Sequence, residues 1–222
     1  MQMSTKKICV LALLSALAFI AMLFGKALSV PLVPLVSFLT YDPKDVIIVI
    51  GGFLYGPLSA FLITAAVSLI EMITASATGL IGLLMNIIAG CSFACTASFI
   101  YQKNRSLKGA IIGLLTAWIL TTIVMVMWNY LITPIFMNVD REYIVSLLVP
   151  GFIPFNLLKG GLNAAFAMLL YKPVKMAMKA SHLMAPLEEK GNKGKINLGV
   201  IIASFFIIAT CILWVLVLQG RL

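Results

Sequence analysis

Lys159 lies about nine residues inside an apolar run, Gly151 to Tyr171, that is long enough to cross a bilayer. A lysine at mid-membrane costs about 2.5–3.5 kcal/mol on insertion scales, so it implies a partner or a task. Asn156 precedes it by three residues and Asn163 follows it by four. On a helix that spacing sets all three within one narrow arc. An ammonium and two amides donate and accept hydrogen bonds, and no nucleophile or base accompanies them. Such a stripe lines a cavity that holds a polar ligand, or it glues helices together.

Bond-breaking chemistry is not signalled elsewhere. Gly191-Asn-Lys-Gly-Lys195 lacks the spacing and the Ser or Thr of a phosphate-binding loop, so the chain does not read as an ATPase. The only histidine, His182, falls in a basic linker, and no zinc-protease or serine-protease arrangement is present. Cys9, Cys91, Cys95 and Cys211 all lie in apolar runs without a His or carboxylate nearby, and they read as small buried hydrophobes. No enzyme, metal centre or cofactor is expected.

The elements that must position Lys159 are membrane helices. With 62% hydrophobic and only 10% charged residues among 222, a water-soluble domain has too little charge to cover itself. Mean hydropathy is +1.12. The first apolar run, Ile8 to Gly25, has no small-residue cleavage region and reads as a retained helix. A proline-bearing loop follows from Lys26 to Lys44, then a short helix from Asp45 to Tyr55, broken by Gly56-Pro57 from one over Leu58 to Thr74. Eleven residues rise only about 16 Å, half of a hydrocarbon core of about 30 Å, so the short helix is a half-span or tilted. Further helices are predicted over Leu80–Tyr101, Leu107–Leu131 and Val145–Tyr171, the last preceded by a polar stretch around Asn138 to Glu142. A basic linker from Lys172 leads to a final apolar run, Ile196 to Leu218.

The net charge of +9 reports topology rather than nucleic acid, because its residues alternate between gaps instead of forming an aromatic-interleaved stripe. Lys6, Lys7, Lys103, Arg105, Lys108, Lys172, Lys175, Lys179, Lys190, Lys193 and Lys195 fall on one side, and Lys26, Lys44, Arg141 and Arg221 on the other. The basic side is cytoplasmic by the positive-inside rule, which puts the N-terminus inside and the C-terminus outside the cell. Asp42, Asp45, Asp140 and Glu142 then face outward.

In that frame Glu71, Asn86, Asn129, Asn156 and Lys159, from four helices, sit at one level near the outer side. They converge on a cavity capped by the loop 26–44, or else they are interhelical glue with Glu71 and Lys159 as a buried pair. Phe38, Tyr41, Phe53, Trp128, Tyr130, Phe136, Phe152 and Phe155 surround the level. Apolar walls with a few placed polar groups suit a flat heteroaromatic ligand with a polar tail, without naming it. Ala12 and Ala16, and Gly109 and Gly113, are small-xxx-small pairs that allow close helix approach. The glycines are assigned to internal packing, whereas the alanines offer a flat face to another subunit.

Tyr41-Asp-Pro-Lys-Asp45 and Gly51-Gly-Phe-Leu-Tyr-Gly-Pro57 resemble the substrate-binding S components of energy-coupling factor (ECF) vitamin transporters. Asn129-Tyr-Leu-Ile-Thr-Pro134 with Pro154-Phe-Asn-Leu-Leu-Lys159 is similar to the riboflavin-specific branch. The resemblance implies an all-α membrane bundle of six helices over residues 1–179, with riboflavin as transported ligand rather than cofactor. It implies ring contacts from Asn129, Asn156 and Lys159, with Glu71 and the backbone of Thr40, Tyr41 and Asp42 completing the site. It further implies docking through Ala12 and Ala16 on a transmembrane coupling subunit driven by two ATPase subunits, in the plasma membrane. One departure stands out: after a linker at 180–195, residues 196–222 add a span beyond the six. An S component for another vitamin, a proton-coupled transporter using Glu71 and Lys159, and a ligand-free scaffold are the competing readings.

Overall fold

In the computed structural model, residues 5–180 and 198–221 are described, with side chains to 177 in the first stretch. His182, Lys190, Lys193 and Lys195 of the predicted linker lie outside the described residues, as does the side chain of Lys179. The described chain is helical. Its elements are α1 (Thr5–Leu28), α2 (Lys44–Tyr55), α3 (Pro57–Thr74), α4 (Gly79–Gly90), α5 (Thr96–Lys103), α6 (Leu107–Leu131), α7 (Thr133–Met137), α8 (Arg141–Leu147), α9 (Ile153–Ala180) and α10 (Leu198–Leu218). A π-turn at Cys91–Cys95 joins α4 to α5, and another at Leu148–Phe152 joins α8 to α9, so each pair forms one long rod. Six rods are long and apolar enough to cross a membrane: α1, α3, α4–α5, α6, α8–α9 and α10. Short α2 is the seventh apolar element, and the fold is a multi-pass membrane bundle.

Local sequence explains most boundaries. Ser106 caps α6 by accepting the Gly109 amide at 3.1 Å. Gly56, at φ +94°, gives the sharp corner between α2 and α3 that other residues resist, and Pro57 starts α3 where no amide is needed. The predicted end at Tyr171 is too early, since α9 passes through Pro173 to Ala180. Two contacts favour the extension. The Tyr171 and Tyr101 hydroxyls are 2.7 Å apart, and buried Lys175 sets its ammonium 5.7 Å from the Tyr171 ring.

Two apolar clusters hold the bundle. The first joins α1, α2, α3, α5, α6 and α9 through Leu14, Ile48, Ile63, Tyr101, Leu114 and Ala167. A Cβ on Gly113 would stand 2.7 Å from the Ala97 carbonyl oxygen, so α6 reaches α5 only because glycine is there. The second cluster joins the loop after α1 to α9 and α10 through Leu32, Val33, Val36, Phe152, Leu158 and Cys211. Outward faces carry Ile119, Ile123, Phe205 and Phe206, each at least half exposed, as a lipid-facing surface requires.

Candidate functional site: a polar-edged cavity under the first loop

α2 is short, and its first turn carries Lys44 and Asp45 into the bundle. Both side chains are nearly inaccessible, at 2% and 4% exposed. Such burial demands pairing, and the structure supplies it. The Lys44 ammonium spends its three donors on Glu71 Oε2 at 2.5 Å, Asp42 Oδ2 at 2.9 Å and Asn86 Oδ1 at 3.2 Å. Asp42 Oδ1 also accepts the Lys44 backbone amide at 3.0 Å, closing the turn that opens α2. Lys26 reaches Glu71 Oε1 at 3.0 Å and donates to the Ala75 carbonyl at 2.8 Å.

Lys159 takes a different partner from the one anticipated. Its ammonium lies 3.2 Å from Asp45 Oδ2, and no Glu71–Lys159 pair forms. Asn163 donates to the same Asp45 oxygen at 3.4 Å and accepts the Tyr41 hydroxyl at 2.9 Å. Three cations and three anions thus occupy one corner, and their formal charges cancel. In the loop, burial alone would raise the Asp42 carboxyl, but the charges of Lys44 and Lys159 and the Lys44 hydrogen bonds hold it below the usual carboxylate range. Burial, with Asp45 and Asp42 nearby, pushes the Tyr41 phenol up and keeps it a donor to Asn163.

This corner is one edge of a cavity of about 510 Å³. Thr40, Asp42, Glu71, Asn86, Asn129, Asn156 and Lys159 all line it, so seven of the eight predicted ligand-site residues come together there. Tyr41 does not line it and instead props Asn163 from behind. A second part of the lining carries amides only partly used. Asn129 donates to the Met125 carbonyl at 2.7 Å and accepts from Thr133 at 2.9 Å, leaving one N–H over. Asn156 donates to the Phe152 carbonyl at 2.8 Å, and no group among the described residues takes its side-chain oxygen. Met85, Phe93, Met125, Trp128 and Phe155 make the apolar wall, while Phe38, Leu39 and Thr40 bring the first loop over it.

The surrounding aromatics divide by role. Phe38, Trp128, Phe136 and Phe155 face the cavity. Phe152 is fully buried beneath Phe38, with ring centroids 6.1 Å apart. Phe53 packs on Tyr101 in the first core at 4.6 Å, and Tyr130 lies outside under Arg141. Sequence reasoning missed Lys26, Lys44 and Asp45 as site-forming, whereas Asn163 stood in the polar stripe with Asn156 and Lys159; the short α2 was the available signal for Lys44 and Asp45. It also missed Thr121, whose buried hydroxyl lines the cavity without a partner, unlike Thr122, which bonds the Trp118 carbonyl at 2.9 Å. Ala12 and Ala16 are exposed on α1, and α10 packs on α9, so the additional helix leaves that face open.

Comparison with known proteins bears on the same segment. A family model described as ECF transporter, substrate-specific component, matches residues 6–171. The chain is 31% identical over 180 residues to the riboflavin transporter FmnP of Bacillus subtilis (strain 168), covering 77% of this chain and 93% of that protein. It is also 31% identical over 180 residues to the riboflavin transporter RibU of Staphylococcus aureus (strain TCH60), covering 78% and 93%. A solved structure of the S component of a bacterial ECF transporter superposes with a TM-score of 0.67 and 30% identity, over 78% of this chain and 98% of that one. The family match stops before α10. With its bundle and its cavity inside the matched segment, the chain belongs to the substrate-specific components of ECF transporters.

Proposed function

We propose that this chain captures riboflavin at the outer side of the cell membrane and releases it inward when docked on an ECF coupling subunit. The observation that carries this reading is the two-sided cavity: an apolar, aromatic wall of roughly 510 Å³ edged by amides with unused hydrogen-bonding capacity. That volume is within the range of about 300–1,000 Å³ usual for small-ligand sites. The tricyclic ring partitions against Phe93, Met125, Trp128 and Phe155. Asn129, Asn156 and Lys159 meet the ring's carbonyl and imide edge, while Glu71, Asn86 and the Thr40–Asp42 segment meet the polar tail. Selectivity follows from the dryness of the site, because an analogue lacking the ring carbonyls leaves buried donors unmatched.

The protein is a transport subunit and not an enzyme, and riboflavin is its cargo. Residues 1–179 form the binding domain, with the N-terminus cytoplasmic and the end of α10 outside. Ala12 and Ala16 offer the small-residue face for a transmembrane coupling subunit, and two ATPase subunits supply the energy that this chain has no phosphate loop to harvest. The test is direct. Protein purified in detergent carries a yellow, fluorescent ligand, and the emptied protein quenches added riboflavin stoichiometrically. A colourless preparation that leaves riboflavin fluorescence unchanged refutes the reading, and saturable binding of another vitamin replaces it. The proton-coupled alternative using Glu71 and Lys159 predicts uptake that collapses with an uncoupler yet survives loss of the ATPase subunits.

A further inference from the structure

α10 lies beyond the segment shared with the family, so its contacts carry information the comparisons do not. It is largely exposed along its outer face, and only Ser204 and Cys211 are fully buried. Its outer end is different. Gln219 Nε2 donates to the Pro31 carbonyl at 3.0 Å, 188 residues away in sequence. Leu218 and Val215 pack on the cluster that holds Leu32 and Val33, and Leu39 and Tyr41 pack on the same cluster. Pro31 pairs in turn with Thr40 in an isolated antiparallel bridge, and the Tyr41 amide donates to the Val30 carbonyl at 3.0 Å. Thr40 lines the cavity. A continuous path of contacts therefore runs from Gln219 through Pro31 to Thr40.

The end of α10 is built to hold Gln219 still. Gly220 takes φ +66°, the Arg221 amide bonds the Leu216 carbonyl at 3.0 Å, and the Gly220 amide bonds the Val217 carbonyl at 3.0 Å. This is the paired-bond stop in which a left-handed glycine closes a helix, and it fixes the residue just before that glycine. Here that residue is Gln219.

We infer that α10 is a brace for the cavity's loop, and that Gln219 is a positioning residue that keeps the Pro31–Thr40 pairing closed over the site. The inference rests on riboflavin capture for its kinetic arm only. In Gln219→Ala and Gln219→Glu, neither able to donate to Pro31, the Tyr41 amide exchanges with deuterium faster in ligand-free protein. Bound riboflavin dissociates about fivefold faster, the equivalent of one hydrogen bond lost. Phe206→Ala, on the lipid face of the same helix, changes neither. Unchanged Tyr41 exchange in both Gln219 variants overturns the brace whatever the ligand is. Faster exchange with an unchanged riboflavin off-rate overturns its link to the site, and an equal effect from Phe206→Ala reduces it to general helix packing. If the unaltered protein binds no riboflavin, the functional reading fails while the exchange experiment still decides the brace.

Discussion

The two edges of the cavity are built from polar side chains in opposite states. On the charged edge every strong group is already engaged: Lys44 fills three donors, Glu71 takes two ammoniums, and Asp45 holds Lys159 and Asn163. On the amide edge, Asn129 and Asn156 each donate to a carbonyl one turn back on their own rods, Asn129 also accepts the Thr133 hydroxyl, and both keep bonding capacity in reserve. The saturated edge is architecture, because removing a member strands a buried charge. The unsaturated edge is where we propose recognition, because its spare groups can gain partners from a ligand.

Substitutions on the two edges separate stability from affinity. Lys44→Met leaves Asp42 and Glu71 short of a counter-charge and lowers unfolding stability by about 3–5 kcal/mol, read as a large drop in the thermal midpoint in detergent. If the midpoint holds, the charged edge is not structural. Lys159 stands between the two classes, since its side chain is 21% exposed toward the cavity while pairing with Asp45. Lys159→Met inserts normally and weakens riboflavin binding about tenfold, the scale of a hydrogen bond from a charged group; unchanged Kd in a fluorescence titration removes this residue from the site. Asn129→Leu and Asn156→Leu keep the midpoint and cost about fivefold in Kd each. A loss of midpoint equal to that of Lys44→Met would erase the contrast between the edges.

The smallest effect concerns pH. A depressed native pKa at Asp42 contributes stability that is present above the ordinary aspartate value and lost as pH falls through the native one. The midpoint therefore stays level from neutral pH to about pH 4 and declines below it, with a shallower decline in Asp42→Asn. A decline that begins well above pH 4 would mean that Lys44 does not hold that carboxylate.

The spans were legible because lipid imposes a simple rule on composition, and α6 was read to its end residues because Ser106 and the apolar run mark them. Lys159, Asn156 and Asn129 were legible as polar residues out of place. The charged corner was not, because pairing is non-local: nothing adjacent to Lys44 says that Glu71, 27 positions on, will meet it. The run of α9 past Tyr171 was hidden because the apolar stretch gives way there to Lys172 and further basic residues. The π-turns at Cys91–Cys95 and Leu148–Phe152 leave no periodic mark in an apolar stretch.

The cancellation of six charges beside the cavity has an electrical consequence. A net charge moved across a membrane is worth about 2.3 kcal/mol per 100 mV, so an unbalanced site would tie vitamin capture to the cell's energisation. A neutral corner receiving an uncharged guest gives the voltage no lever on capture.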